Sequence, residues 1–274
     1  MNFSQKLESI QAQNQSLLCV GLDSDYEKIP SFLQKSKNTL FEFNRQIIDA
    51  TYDLVCAYKP NTAFYESLGE NGIKQLKMTC DYLHENYKNI PIIIDAKRAD
   101  IGNTNQGYVD FIFKYLQADA ITVNPYLGQE ALQPFLDKKD KGIIVLCKTS
   151  NPGSGEFQDL EINGVKLYQF VAKQVIQKWN KNKNCVLVIG ATYPEQIAEI
   201  RKLDDEIVFL IPGIGTQGGE IEQTVQNAKN SQGKGMIINA SRSIIFAGSE
   251  QDFAQKARNE ALKLKTEINK YLSS

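Results

Sequence analysis

One histidine, His84, is all that the 274 residues provide, and that scarcity excludes a good deal of chemistry. A metal site built on several imidazoles is impossible. A Ser-His-Asp relay would have to be anchored on His84, which sits inside the helix-like stretch Asp81-Tyr82-Leu83-His84-Glu85. Cysteine is also sparse. Cys19, Cys56, Cys80, Cys147 and Cys185 are odd in number, widely separated and never spaced Cys-x-x-Cys. They read as buried small hydrophobes, not as ligands or disulfides. Neither sign of charge is in excess: Lys+Arg 31 against Asp+Glu 32 leaves a net charge of -1. No stripe of Lys or Arg marks a nucleic-acid footprint, so no nucleic-acid partner is expected. No apolar run approaches the roughly 18 residues that a membrane span needs, and 1–16 reads as a polar amphipathic helix. No membrane contact and a cytoplasmic location are the expectation.

What is present is alternation. Runs rich in Val, Ile and Leu fall at 17–23, 54–61, 90–97, 120–125, 142–149, 185–192, 208–214 and 235–242, as parallel βα units require. Between them apolar residues recur at intervals of three and four, as in Leu40, Phe43, Ile47 and Leu54, or Ile73, Leu76, Cys80 and Leu83. Tyr168, Val171, Val175 and Trp179 form another stripe, and Phe253, Ala257, Ala261, Leu264 and Ile268 the last. Each describes a helix that buries one face on a sheet. Eight such units in about 250 residues fit a closed barrel, whereas an open doubly wound sheet more often uses roughly five or six strands. The expected fold class is α/β, a single (β/α)8 TIM barrel, with 1–274 as one domain. Two connections stand out. Segment 150–163, with Asn-Pro-Gly-Ser-Gly, has no clear period, and 213–219 is rich in glycine. Both follow strand C-termini, where barrel loops build sites.

Charged residues are out of place in strands buried on both faces unless they sit at the end that faces a site. The first run ends in Gly21-Leu22-Asp23, the second in Tyr58-Lys59-Pro60-Asn61, and the third in Asp95-Ala96-Lys97-Arg98-Ala99-Asp100. Alternation along a strand puts Asp95 and Lys97 on one side, and neighbouring strands bring Asp23 and Lys59 beside them. Burying several charges costs several kcal/mol per ion, roughly, so packing alone does not account for the set. Across the mouth, Pro212-Gly213-Ile214-Gly215-Thr216-Gln217-Gly218-Gly219 and Asn239-Ala240-Ser241-Arg242-Ser243 end the last two runs. Glycines let backbone amides converge on an anion, and Arg242 adds a bidentate donor, a phosphate grip at its usual place in this fold. The combined reading is a phosphorylated small molecule whose far end meets a lysine flanked by aspartates. Such a lysine suits protonation of a developing carbanion, and the carboxylates disfavour a negative group on the substrate, which points to loss of CO2.

These residues resemble a known family. Asp95-Ala96-Lys97-Arg98-Ala99-Asp100-Ile101, continued by Gly102-Asn103-Thr104, matches the Asp-x-Lys-x-x-Asp-Ile signature of orotidine 5'-phosphate decarboxylases. Gly-Leu-Asp at 21–23, Lys-Pro-Asn at 59–61, Thr-Ser-Asn-Pro-Gly at 149–153, Pro-Gly-Ile-Gly-Thr-Gln-Gly-Gly at 212–219 and Ala-Ser-Arg at 240–242 follow in family order. The long stretch after the fifth run resembles the longer bacterial branch. The resemblance implies conversion of orotidine 5'-phosphate to uridine 5'-phosphate in pyrimidine biosynthesis, without metal or cofactor. It implies that Lys97 protonates C6 of the pyrimidine, in a network with Lys59, Asp95 and Asp100. It further implies that Asp23 and Lys59 hold the ribose hydroxyls, Ser150 bonds the pyrimidine edge, and Gln217 bridges base and phosphate. Arg242 is the implied phosphate arginine, with Pro212 and Ser241 in the same substrate-binding set. A homodimer is implied too, with Asp100, Ile101 and Thr104 reaching into the partner's site. Two other readings stay open: a Mg2+-dependent sugar-phosphate decarboxylase or synthase of the same barrel superfamily, and a catalytically silent nucleotide-phosphate binder. Metal dependence separates the first, and retention of both lysines and both aspartates argues against the second.

Overall fold

The structure, a computed structural model, describes residues 1–214 and 218–272. All eight apolar runs are parallel strands: β1 (Leu18–Leu22), β2 (Ala57–Pro60), β3 (Ile93–Arg98), β4 (Ala120–Val123), β5 (Gly142–Lys148), and, after a small hairpin of β6 (Glu161–Ile162) and β7 (Val165–Lys166), β8 (Cys185–Ile189), β9 (Val208–Pro212) and β10 (Met236–Ala240). Their order, β2-β1-β10-β9-β8-β5-β4-β3, follows the chain around a ring. Parallel bridges from Tyr58 to Ile92 and from Asn61 to Asp95 join β2 to β3 and close it.

The strands hold few polar residues below their C-terminal ends because both faces are covered. Every residue of β1, β4, β8 and β10 is buried. The helical stripes lie against them: Leu40, Phe43 and Ile47 in Thr39–Thr51, Leu76, Cys80 and Leu83 in Gly69–Asn86, and Phe253, Ala257, Ala261 and Ile268 in Phe253–Leu272 are all buried. All five cysteines are free and buried. Burial pushes the Cys19 thiol up to about 12 against the pull of Lys59, so it is an inert core group. His84 lies within Gly69–Asn86, and burial lowers its pKa.

The N-terminal amphipathic helix, Phe3–Asn14, has a structural task. Asn2 and Gln5 form a capping box at its start, and Phe3, Leu7 and Ile10 are buried. It crosses the end of the barrel where strands begin. Lys6 pairs with Asp119 at 2.8 Å, Gln11 donates to the Met236 carbonyl, and Asn14 donates to the Val55 carbonyl. The Phe3 ring fills the space a side chain on Gly142 would need, since a Cβ there would lie 2.5 Å from its Cδ1. This floor satisfies backbone groups at the strand starts and leaves the opposite end open.

Segment 150–163, in which the sequence shows no period, is ordered in short pieces. A 3-10 turn (Pro152–Ser154), one helical turn (Gly155–Gln158) and strand β6 of the hairpin follow each other. Each piece is too short for a periodic pattern to register.

Candidate active site

Pairing of β1 with β2 sets Gly21 beside Lys59 and Leu22 beside Pro60, so the C-terminal ends of the first three strands share one rim. At that rim Lys59 Nζ lies 2.7 Å from one oxygen of Asp95 and Lys97 Nζ 2.6 Å from the other. The two lysines differ in setting. Lys59 is 3% exposed, whereas the Lys97 side chain is 48% exposed at the mouth. Burial alone would raise the Asp95 pKa, but Lys59 and Lys97 outweigh it and hold the carboxyl well below the ordinary carboxylate range. For Lys59 burial pulls the pKa down, while Asp95 and then Asp23 outweigh it and leave the value above the ordinary 10.5. Asp95 is therefore a carboxylate and Lys59 an ammonium through the neutral range.

Lys97 reaches Asp95 by a route that simple alternation does not describe. Its φ is +48°, left-handed and costly for a residue with a side chain by about 1–2 kcal/mol. The β3–β4 register shifts between Ile94 and Arg98, the sign of a bulge that re-aims a side chain. Thr122 of β4 holds the bulge: its buried hydroxyl accepts from the Lys97 backbone N–H at 2.9 Å and donates to Asp95 Oδ1 at 2.8 Å.

Asp23 follows β1. One of its oxygens is buried without a hydrogen-bond partner among the described residues. The backbone around it is pinned from below: Tyr65 Oη donates to the Leu22 carbonyl, Ser24 donates to Asn44 Oδ1, and Asn44 Nδ2 donates to Tyr65 Oη and Thr79. Gly21 serves close approach, because a Cβ there would lie 1.9 Å from Ser241 Oγ. Absence of a side chain thus lets the end of β10 close against β1. Asn239, beside Ser241 on that strand, also buries an unpartnered oxygen.

Across the mouth, Pro212 ends β9 and its carbonyl accepts from Ala191 N–H at 3.0 Å. Ser150 packs over both neighbouring strand ends, since a Cβ on Gly190 would be 2.7 Å from its Cβ and one on Gly213 3.3 Å from its Oγ. Ser241 precedes the short helix Arg242–Ile245, and exposed Arg242 makes no side-chain hydrogen bond or ion pair with a described residue. Gln217 lies outside the described residues.

Asp100 stands apart from the lysine cluster within this chain. Its Oδ1 accepts from Ile101 N–H at 2.7 Å, and among the described residues it joins no ion pair. Asn105 fixes the turn, accepting from Asp100 N–H and donating to the Ala131 carbonyl. Ile101 and Thr104 both point to the surface, Ile101 at 61% exposure.

A profile of the orotidine 5'-phosphate decarboxylase / HUMPS family matches residues 16–257. The chain belongs to that family. A relative from Cellvibrio japonicus (strain Ueda107) named orotidine 5'-phosphate decarboxylase is 46% identical over 271 residues, covering 98% of each chain. One of the same name from Janthinobacterium sp. (strain Marseille) is 45% identical over 273 residues and covers both chains fully. Among solved structures, the Leishmania donovani OMP decarboxylase superposes with TM-score 0.83 at 36% identity over 97% of this chain and 99% of that one. The Leishmania donovani UMP synthase gives TM-score 0.88 at 38% identity, over 99% of this chain and 56% of that one.

Within this decarboxylase family member, two buried groups that support the mouth escape a reading by motif. Thr122 sits mid-run in Ala-Ile-Thr-Val, where threonine is an ordinary strand residue. Its only signal is a hydroxyl at the strand position facing Asp95. Asn44 interrupts the stripe of Leu40, Phe43 and Ile47, and a buried amide in an apolar stripe is the signal that a polar partner waits below.

Proposed function

We propose that this chain decarboxylates orotidine 5'-phosphate to uridine 5'-phosphate, with Lys97 as proton donor, in the cytoplasm. The observation that carries the reading is the pair of ammonium groups, 2.7 and 2.6 Å from the two oxygens of one ionised carboxylate at an open barrel mouth. Breaking the bond from C6 to the carboxylate leaves its electron pair on C6 with no ring or cofactor to receive it. A cation fixed beforehand at that place lowers the barrier because no solvent reorganises during the reaction. Asp95 keeps the Lys97 ammonium there, and the Lys97 proton then passes to C6 as CO2 departs. The neutral amine regains a proton from solvent.

Asp23 and Lys59 are assigned to the ribose hydroxyls; the unpartnered Asp23 oxygen is an acceptor suited to that task. Ser150 is assigned to the pyrimidine edge, Gln217 to base and phosphate, and Arg242, with Pro212 and Ser241, to the phosphate side. Asp100, Ile101 and Thr104 are assigned to the site of a second copy. Support comes from Asp100 lacking a cationic partner among the described residues and from apolar exposure beside it: Ile101 at 61%, Tyr126 at 85% and Leu127 at 48%. The two helices that follow these residues pack together through the bond from Asn105 to Ala131, so the exposed side chains lie on adjoining loops.

A Mg2+-dependent reaction on an enediolate gains no support from the geometry, because both Asp95 oxygens already accept from ammonium groups. The test is a spectrophotometric assay of orotidine 5'-phosphate with EDTA present. Steady consumption of substrate is the expected result. No consumption, or consumption that returns only with added Mg2+, would overturn the proposal.

A further inference from the structure

The end of β5 carries a buried cation that the mouth chemistry does not use. Lys148, the last residue of β5, is 1% exposed. Its Nζ lies 2.8 and 2.9 Å from the two oxygens of Asp159 and 3.3 Å from Ser154 Oγ. The rings of Tyr168 and Tyr193 lie close by, with centroids 5.7 and 5.8 Å away. A second clamp lies next to it. Thr149 N–H donates to Gln158 Oε1 at 2.9 Å, and Gln158 Nε2 donates to Thr149 Oγ1 at 2.9 Å. Residues 158 and 159 are thereby tied to residues 148 and 149, and the chain between them becomes a closed loop. Ser150 is the first residue of that loop, seated over Gly190 and Gly213.

Taking an ammonium out of water is unfavourable, and an apolar side chain of similar volume would fill the same space. Packing therefore does not explain a lysine at this position. An ion pair does something an apolar contact does not: it fixes direction and register, here of the strand end from which Ser150 projects.

We propose that the Lys148–Asp159 pair is a positioning device for the Ser150 hydroxyl, holding it at the pyrimidine edge of the bound nucleotide. The proposal rests on the reading of Ser150 as a base contact. Lys148 touches no substrate and acts only through the loop. Specificity for the base then depends on a charge pair outside the mouth.

The test compares Lys148→Met, Lys148→Arg, Ser150→Ala and the double variant Lys148→Met/Ser150→Ala, all in the full chain. The readouts are kcat/KM for orotidine 5'-phosphate and competitive inhibition by uridine 5'-phosphate and by ribose 5-phosphate. Lys148→Met should lower kcat/KM by about ten-fold, the scale of one lost hydrogen bond, and weaken uridine 5'-phosphate by a similar factor. Inhibition by ribose 5-phosphate, which has no base, should not change. The double variant should be no worse than the poorer single one, because removing the positioner costs nothing further once the hydroxyl is gone. Lys148→Arg should restore most of the loss. Multiplying losses in the double variant, or equal weakening of both inhibitors, would overturn the proposal. If Ser150→Ala alone leaves uridine 5'-phosphate inhibition unchanged, the base-contact reading fails instead, a separately visible result. Should Lys148→Met not fold, the same cycle with Asp159→Asn, which changes the more exposed member of the pair, decides the matter by the same criterion.

Discussion

Lys97 owes its place to three cooperating features, each at the level of single atoms: a left-handed backbone, a carboxylate with both oxygens engaged, and the Thr122 hydroxyl that bonds both. Thr122→Val keeps the shape and removes the donor and the acceptor together. Loss of a hydrogen bond to a charged group is worth about 1.5–3 kcal/mol, so kcat should fall roughly ten- to hundred-fold with KM little changed, while Thr122→Ser retains most activity. Steady-state kinetics on the two variants checks this. The Asp95–Lys59 pair also sets a pH window for stability. Asp95, depressed in the fold, contributes above its ordinary value of 3.8 and loses that contribution as pH falls through its folded value. Lys59, raised in the fold, contributes below 10.5 and loses it as pH rises through its higher folded value. Thermal unfolding should therefore show Asp95→Asn less stable than the parent at pH 7, with the gap narrowing only below about pH 4. The charged residues were legible because aspartate and lysine stand out in an apolar strand; Thr122 was not, because threonine belongs in strands.

At the scale of elements, the bulge in β3 shows why a correct expectation can rest on an incomplete cause. Alternation places Asp95 and Lys97 on one side, yet their meeting depends on the register shift between Ile94 and Arg98 and on φ +48° at Lys97. Nothing local in Ala-Lys-Arg announces that conformation, since Gly and Asn are the residues that adopt it freely. The 150–163 segment was recognisable as a loop over the mouth, but its folding back on β5 depends on pairing Lys148 with Asp159 across eleven residues, a contact no period encodes. The amphipathic helix at the start was legible as a helix; its role as barrel floor follows from Phe3 meeting Gly142 in space. At the opposite rim, the proposed reading gives the ends of β9 and β10 to the phosphate. Arg242→Ala should weaken kcat/KM by roughly 2–4 kcal/mol, the loss of a charged contact. The loss should appear equally with orotidine 5'-phosphate as substrate and with ribose 5-phosphate as inhibitor.

The whole molecule is a barrel closed at one end by the Phe3–Asn14 helix and open at the other, with the Lys59–Asp95–Lys97 cluster on the open rim. Its architecture was the most legible property of all, because eight apolar runs separated by amphipathic stripes repeat one local pattern along the chain. A second chain was not legible from spacing or composition; it entered through family resemblance, and Asp100 without a cationic partner among the described residues gives it a physical motive. The proposed reaction therefore depends on one lysine completed by an aspartate from a second copy of the chain. The direct measurement is decarboxylation by Lys97→Ala and by Asp100→Ala, alone and after the two are unfolded and refolded together. Each alone should be nearly inactive, and the mixture should regain about a quarter of the parent activity, since half the dimers are mixed and each of those has one intact site of two. Normal turnover by Lys97→Ala alone, or a mixture as inactive as its parts, would contradict it.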